Sequence, residues 1–294
     1  MQSYDITFLG HMCYDEITPY QGEKMVAPGS AVLCGSLASV RTGKRVAVVV
    51  KMAPADEEIL QPMRDAGIDV YLIPAAETTC SVVIHPVPDV DFRLLALTKS
   101  AGLIRIDEVP PLDTRCLHLA GISNTEFDLD LIAGLAGRGY ALSADMQGFV
   151  RQVDPVTREI ALRDVPDKRE IVRQLCKVKL DAVEAGVLTG TEDIGQAAMM
   201  FEQWGCPETI ITRADGVLAR VAGKTYFEKF THRNLTGRTG RGDTTFAAYL
   251  ARRLDHGVAE SLKFAAALVS LKMEKPGPFS GTLEDVLTRM NAYP

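Results

Sequence analysis

Residues 237–244 read GRTGRGDT. Glycines at 237, 240 and 242 permit backbone conformations closed to other residues. Successive N–H groups in such a stretch can face one concavity and form a nest for an anion. The run that follows, TTFAAYLARRL (244–254), predicts a helix whose positive end adds to the same field. Arg238 and Arg241 bring formal charge. The outline is that of the phosphate-binding pattern G-x-x-x-x-G-K-[ST], except that Asp243 stands where the pattern has lysine. Two readings of that acid are open. It is the N-cap of the helix, or it is a general base. In transfer of a phosphoryl group to an alcohol, the acceptor hydroxyl loses its proton as the new bond forms, while N–H groups hold the transferred charge.

Strand-like and helix-like segments alternate for most of the length. ITFLG (6–10), VAVVV (46–50), VYLI (70–73), CLHLAG (116–121), YALSAD (140–145) and IIT (210–212) read as strands. SAVLCGSLASVRT (30–42), EILQPMRDAG (58–67), DLDLIAGLAGRG (128–139), a stretch near 167–177 and VAESLKFAAALVSLKM (258–273) read as helices. A Gly turn is expected at Gly216. Alternation of this kind implies an α/β fold with a mostly parallel sheet and helices on both faces. One region breaks it. Residues 78–98, TTCSVVIHPVPDVDFRLLALT, read as two strands around a PVPD turn, an antiparallel excursion placed to act as a lid.

The 294 residues suit one large domain. With 47% hydrophobic and 24% charged residues the chain has material for a sizeable core. A net charge of -6 argues against a nucleic-acid partner, so any polyanion must be held by local features working against the overall field. Six scattered cysteines without a C-x-x-C pair imply a reducing, cytoplasmic compartment. Five histidines in no ligand spacing give no metal cage of zinc type. No apolar run reaches membrane-spanning length, and no signal peptide opens the chain.

Thr239-Gly240-Arg241-Gly242-Asp243, followed by Phe246 and a small-residue helix, resembles the T-G-A-G-D-x-F signature of the PfkB carbohydrate kinases of the ribokinase-like superfamily. Further pieces occur in the family's order. Gly10-His11 with Asp15 resembles the first strand and its substrate-contacting acid. Gly29-Ser30 resembles the early Gly-Gly motif. Asp181-Ala-Val-Glu184 resembles the N-x-x-E segment associated with the magnesium nucleotide. DMQGFVR (145–151) is similar to a stretch of the inositol kinase branch.

The resemblance implies one kinase domain over residues 1–294, with lid strands drawn from about 12–28 and 78–98, and a homodimer through those strands. It implies Mg-ATP as donor and a sugar or polyol as acceptor. Asp243 would be the base, with Gly240, Arg241 and Gly242 completing the anion hole. Asp15, Gly29, Ser30, Gln147 and Arg151 would bind the acceptor. Asp181, Glu184, Thr212 and Gly216 would serve the nucleotide and its Mg2+.

The chain departs from the pattern in four places. Gly237, with Arg238 beside it, stands where the family often has an acid that helps hold a monovalent cation. Arg238 is expected to supply that charge. Arg241 replaces the signature's middle alanine and either contacts phosphate or points to solvent. Asp181 replaces asparagine. Thr212-Arg213-Ala214-Asp215-Gly216 is an incomplete T-x-G-x-x-G nucleotide loop. The family's usual acceptor-binding asparagine falls near Cys34. Two other acceptor or function classes stand beside a sugar or cyclitol kinase: a nucleoside kinase, and a non-catalytic ligand-binding protein on the same fold. An aromatic content of 6% weakly disfavours a base-stacking site. A dinucleotide oxidoreductase fails, because no G-x-G-x-x-G follows the first strand.

Overall fold

The computed structural model describes residues 2–88 and 92–293. Among these, nine strands form the central sheet. Their order is Lys224–Lys229, Gly216–Val221, Glu208–Thr212, Lys177–Asp181, Leu142–Asp145, Leu117–Leu119, Ile6–His11, Val46–Met52, Asp69–Pro74. From Glu208–Thr212 onward every neighbouring pair is parallel. The first two strands form an antiparallel hairpin on the edge. The chain builds from Ile6–His11 toward one edge, then returns to Leu117–Leu119 and builds toward the other. That reversal opens a crevice at the carboxyl ends of the two strands, where open parallel sheets bind ligands.

The sequence explains the layering. Val46–Met52 is buried at every position, as a β-branched run covered on both faces must be. On one face, helices Ala31–Val40, Arg241–Arg253 and Val258–Met273 share a core that includes Phe8, Phe246, Tyr249 and Phe264. On the other, Leu129–Gly137, Ala182–Thr189 and Ile194–Gln203 bury Leu131, Leu188 and Phe201. A second sheet of four strands, ordered Met25–Gly29, Cys13–Thr18, Thr79–Ile84, Leu94–Lys99, stands apart from the first. Its strands come from about 12–28 and 78–98, the segments expected to form a lid. The PVPD turn ends at Asp89, and residues 89–91 lie outside the described residues.

Three expectations shift. The helix expected over 58–67 is a 3-10 segment, Pro54–Leu60, followed by a short helix, Gln61–Asp65. Pro62 has no N–H to continue a helix and sits instead in the first turn of a new one. The 167–177 helix stops at Arg173, and Lys177 already begins a strand. The loop helix starts at Arg241 rather than Thr244. Among the described residues all six cysteines are free thiols, and no helix is long and apolar enough to cross a membrane.

His118 ties the sheet to the loop helix. It is buried between Phe8 and Phe246, with edge-on ring contacts at 5.5 and 5.1 Å, and its Nδ1 lies 3.1 Å from Ser143 Oγ. Burial pushes its pKa down to about 3. In the unfolded chain this imidazole binds a proton once pH falls below about 6.5, whereas in the fold it stays neutral. Stability therefore falls as pH drops from 6.5 toward 3, by about 2 kcal/mol at pH 5 from this residue alone. Urea unfolding at pH 7 and pH 5 should show a smaller loss for His118→Phe than for the parent chain; equal losses would refute the assignment.

Candidate active site

The anion loop enters its helix through Gly240, which adopts φ +78°. The Arg241 amide bonds to the Arg238 carbonyl at 3.1 Å, and the Thr244 amide to the Gly240 carbonyl at 3.0 Å. Between them, the amides of Gly242 and Asp243 have no acceptor among the described residues. Two orphan donors at the positive end of a thirteen-residue helix are chemically suited to an anion. Asp243 is not the N-cap, which is Gly240; it lies within the first turn.

Beneath the loop lies a buried ion pair. Lys179 Nζ donates to Asp145 Oδ2 at 2.8 Å, and both side chains are almost fully enclosed. Burial alone would favour the neutral amine; Asp145 and the further carboxylates Glu184 and Asp243 outweigh it and raise the lysine pKa. Gly242 rests directly on this pair. A Cβ there would lie 2.6 Å from Lys179 Nζ, so a side chain would push the ammonium off its partner.

Gln147 links the two halves of the crevice. Its amide donates to Gly121 O at 2.8 Å and to Asp243 Oδ1 at 3.2 Å, while its own N–H bonds Asp145 Oδ1 at 3.0 Å. The residue expected to read the acceptor thus has its side-chain donors committed, one of them to orienting Asp243. Arg151 Nη2 lies 3.4 Å from Glu184 Oε1. Glu184 and Asp181 cap one helix reciprocally: Asp181 accepts from the Glu184 amide, and Glu184 accepts from the Asp181 amide, each at 2.8 Å. Burial, then the charge of Asp181, push the Glu184 carboxyl up to about 7, with Lys179 and Arg151 opposing. Arg93, from the lid, shares its electrostatic environment with Arg151, Asp181, Arg241 and Glu184. Arg241 is half-buried beside Asp181, not turned wholly to solvent.

Asp15, expected to contact the acceptor, accepts from Ser81 Oγ across neighbouring strands of the small sheet, and a Cβ on Gly29 would sit 2.0 Å from Asp15 Oδ2. A side chain at Gly29 would force the Asp15 carboxylate to move. Ser30 caps helix Ala31–Val40 through its hydroxyl, which accepts from the Leu33 amide at 3.0 Å. It does so at φ 150°, a conformation that favours glycine. Cys34, one turn into that helix, lies between Asp243, Lys272 and Asp15; burial and the two carboxylates push its thiol up to about 12. The fold sets Gly29, with Ser30 next in the chain, beside Asp15, links Gln147 to Asp243 and Arg151 to the Asp181–Glu184 pair, and places Cys34 within the field of both Asp15 and Asp243.

The nucleotide-loop residues fare differently. Thr212 ends its strand opposite Asp181, but its hydroxyl is buried and lies 3.4 Å from the Leu180 carbonyl. Gly216 opens the edge hairpin, where a Cβ would meet Glu228 O at 2.4 Å and the Phe227 ring at 2.6 Å. Arg213 is held by Asp215 and stacks 4.9 Å from the Phe227 ring centroid. Sequence reading missed Lys179, Arg93 and Lys272. Only Lys179 left a trace, as a charged residue within the strand KVKLD.

Lys179→Met would leave Asp145 as an unpaired buried charge, at a cost of about 3–5 kcal/mol. The double variant Lys179→Met with Asp145→Leu should recover most of that loss in urea unfolding; if the single and double variants are equally unstable, the pair is not the source of the effect.

No family model matches the chain. It is similar to a sulfate complex of a pyrophosphate-dependent kinase in the ribokinase family, at 31% identity and TM-score 0.89, over 96% of this chain and 99% of that one. It is similar, at 30% identity and TM-score 0.88 with the same coverage, to such a kinase complexed with a pyrophosphate analogue and myo-inositol. A cytidine kinase from Thermococcus kodakarensis is 25% identical over 255 residues, 84% of this chain and 87% of that protein. Identity of 30% and above along nearly the whole length, joined to the same mostly parallel sheet and helices, places this chain in the ribokinase family of kinases.

Proposed function

We propose that this kinase moves a phosphoryl group from inorganic pyrophosphate to a hydroxyl of a cyclitol or sugar, myo-inositol first among them. The observation that carries the donor is the convergence of Arg93, Arg151 and Arg241 on the Asp181–Glu184 corner. Guanidinium groups from beside a strand of the small sheet, from the strand Arg151–Val153 and from the anion-loop helix suit a compact ligand charged at both ends. Of the residues expected at a nucleotide, Gly216 opens the edge hairpin and the Thr212 hydroxyl is buried near the Leu180 carbonyl. The pyrophosphate-dependent relatives support the same choice.

In this reading an acceptor hydroxyl lies against Asp243. Its oxygen attacks the terminal phosphorus as its proton passes to the Asp243 carboxylate. The bridging P–O bond breaks and inorganic phosphate leaves. The amides of Gly242 and Asp243 hold the oxygens of the transferred group, and Gln147 fixes one oxygen of Asp243 so that the other faces the hydroxyl. Asp15, Gly29 and Ser30 shape the acceptor wall. The Asp181–Glu184 pair would hold Mg2+: burial and Asp181 push the Glu184 carboxyl up to about 7, a nearby cation would favour its ionised form, and Mg2+ on phosphates takes one or two carboxylates and keeps its waters. When bound there, Mg2+ supplies neutralisation of donor phosphate charge.

Mg-ATP remains the second donor to test, because Thr212 ends its strand beside Asp181, where the sequence reading placed the nucleotide. A nucleoside is the second acceptor class, on the strength of the cytidine kinase relative. We further propose one domain over residues 1–294 and a homodimer through the lid, where Met25, Val26 and Leu94 are exposed.

Phosphorus NMR of product formation tests the reading, with pyrophosphate or Mg-ATP as donor and myo-inositol, sugars and nucleosides as acceptors. Inositol monophosphate should form from pyrophosphate, and Asp243→Asn should lower kcat by about 10²–10⁴. Turnover with ATP alone would reject the donor, and near-normal turnover in Asp243→Asn would reject the base.

A further inference from the structure

Lys272 lies near the end of helix Val258–Met273 and is 2% exposed. Its Nζ donates to the carbonyl oxygens of Gly237 and Thr239, both in the anion loop. Among the described residues no carboxylate pairs with it directly. Its nearest charged or titratable neighbours are Cys34, Asp243 and Arg238. The loop closes around it. The Gly237 amide bonds Met273 O at 2.8 Å, and a Cβ on Gly237 would lie 1.7 Å from Lys275 O. A Cβ on Gly240 would lie 4.0 Å from the ammonium.

A buried charge without a counter-charge is costly, so carbonyl dipoles must carry its solvation. They also fix the loop. In a trans peptide the C=O and the N–H point in opposite directions. With the Thr239 carbonyl turned to Lys272, the Gly240 N–H faces away from it. One side chain thus orients the loop backbone and sets positive charge beneath the first turn that holds Asp243.

We infer that Lys272 is a positioning residue for phosphoryl transfer: its ammonium is a built-in monovalent cation, bound by the Gly237 and Thr239 carbonyls, and the reaction needs no dissolved potassium or ammonium ion. Lys272, rather than Arg238, then supplies the charge under the loop. The inference rests on the kinase reading of the loop. It also makes a chemical prediction of its own. Removing the ammonium leaves a pocket lined by carbonyl oxygens, which suits K⁺ or NH₄⁺.

The test measures kcat and KM of the parent chain and of Lys272→Met in choline, sodium, potassium and ammonium chlorides at equal ionic strength. The parent should vary less than about twofold between salts. Lys272→Met should lose on the order of a hundredfold in kcat in choline, with acceptor KM little changed, and should regain tenfold or more in potassium or ammonium. Strong stimulation of the parent by potassium overturns the inference, even if the variant does not fold. So does a folded variant that is as active as the parent, or one equally inactive in every salt. Asp243→Asn, run alongside, separates the two claims. If it is fully active the base assignment fails; if it is inactive while Lys272→Met works normally in choline, only the lysine inference fails. Should the panel give no turnover, pyrophosphate affinity by calorimetry in the same salts reads the same effect: affinity weakened tenfold or more in choline and restored by potassium supports the inference, and unchanged affinity overturns it.

Discussion

The Lys179–Asp145 pair sits where three requirements meet. It neutralises a charge at the end of a fully covered strand. It presents an ammonium to the underside of Gly242. It also lets Asp145 hold the Gln147 backbone, from which the Gln147 side chain reaches Asp243. Because both charges are buried, neither can leave without stranding the other. The anion loop is therefore built on a rigid electrostatic floor. Gly242 is dictated by that floor, since any side chain would occupy the space of the lysine head group. An acidic protein can hold a polyanion here because cations are concentrated locally: Lys179 and Lys272 beneath the loop, and Arg93, Arg151 and Arg241 around its mouth.

The same constraint divides the crevice into two chemical sides. Toward the Asp181–Glu184 corner, buried carboxylates and guanidiniums alternate, which suits a metal–phosphate ligand. Toward Asp15, Gly29 and Ser30 the groups are hydroxyl, carboxylate and backbone, which suits a polyol. Asp243 stands between, and its orientation is fixed by Gln147. Ser30 holds a strained backbone next to Gly29, where a side chain would displace the Asp15 carboxylate. The small sheet carries Asp15 in one strand, and Arg93 immediately precedes another, so one element brings groups to both sides of the crevice.

Much of this architecture was legible in the sequence. The alternation of strands and helices, the break at 78–98 and the long helix 258–273 rest on local periodicity, and local periodicity survives folding. The start of the loop helix was misplaced by three residues because Gly240 and Gly242 read as loop. The tertiary floor beneath Gly242 is what makes glycine acceptable in a first turn. Pro62 split a helix that the apolar pattern had joined. The partners of Lys179 and Lys272 lie 33 to 35 residues away, so nothing near either lysine marks it as buried. Arg93 reaches the site only through the lid fold. Asp243, Asp181 and Glu184 stand out as candidates because their spacing lies within single motifs; of the groups around them, Gln147 and Arg151 read only as acceptor-binding residues, and Lys179 and Arg93 did not stand out.

The central claim is that the Gly242 and Asp243 amides receive the transferred phosphoryl group while Asp243 takes the acceptor proton. A crystal structure with a non-hydrolysable pyrophosphate analogue and myo-inositol tests it most directly. The account predicts terminal oxygens of the analogue on those two amides and an inositol hydroxyl about 3 Å from Asp243. An analogue bound away from the loop, or an inositol whose hydroxyls all lie beyond reach of Asp243, would contradict it.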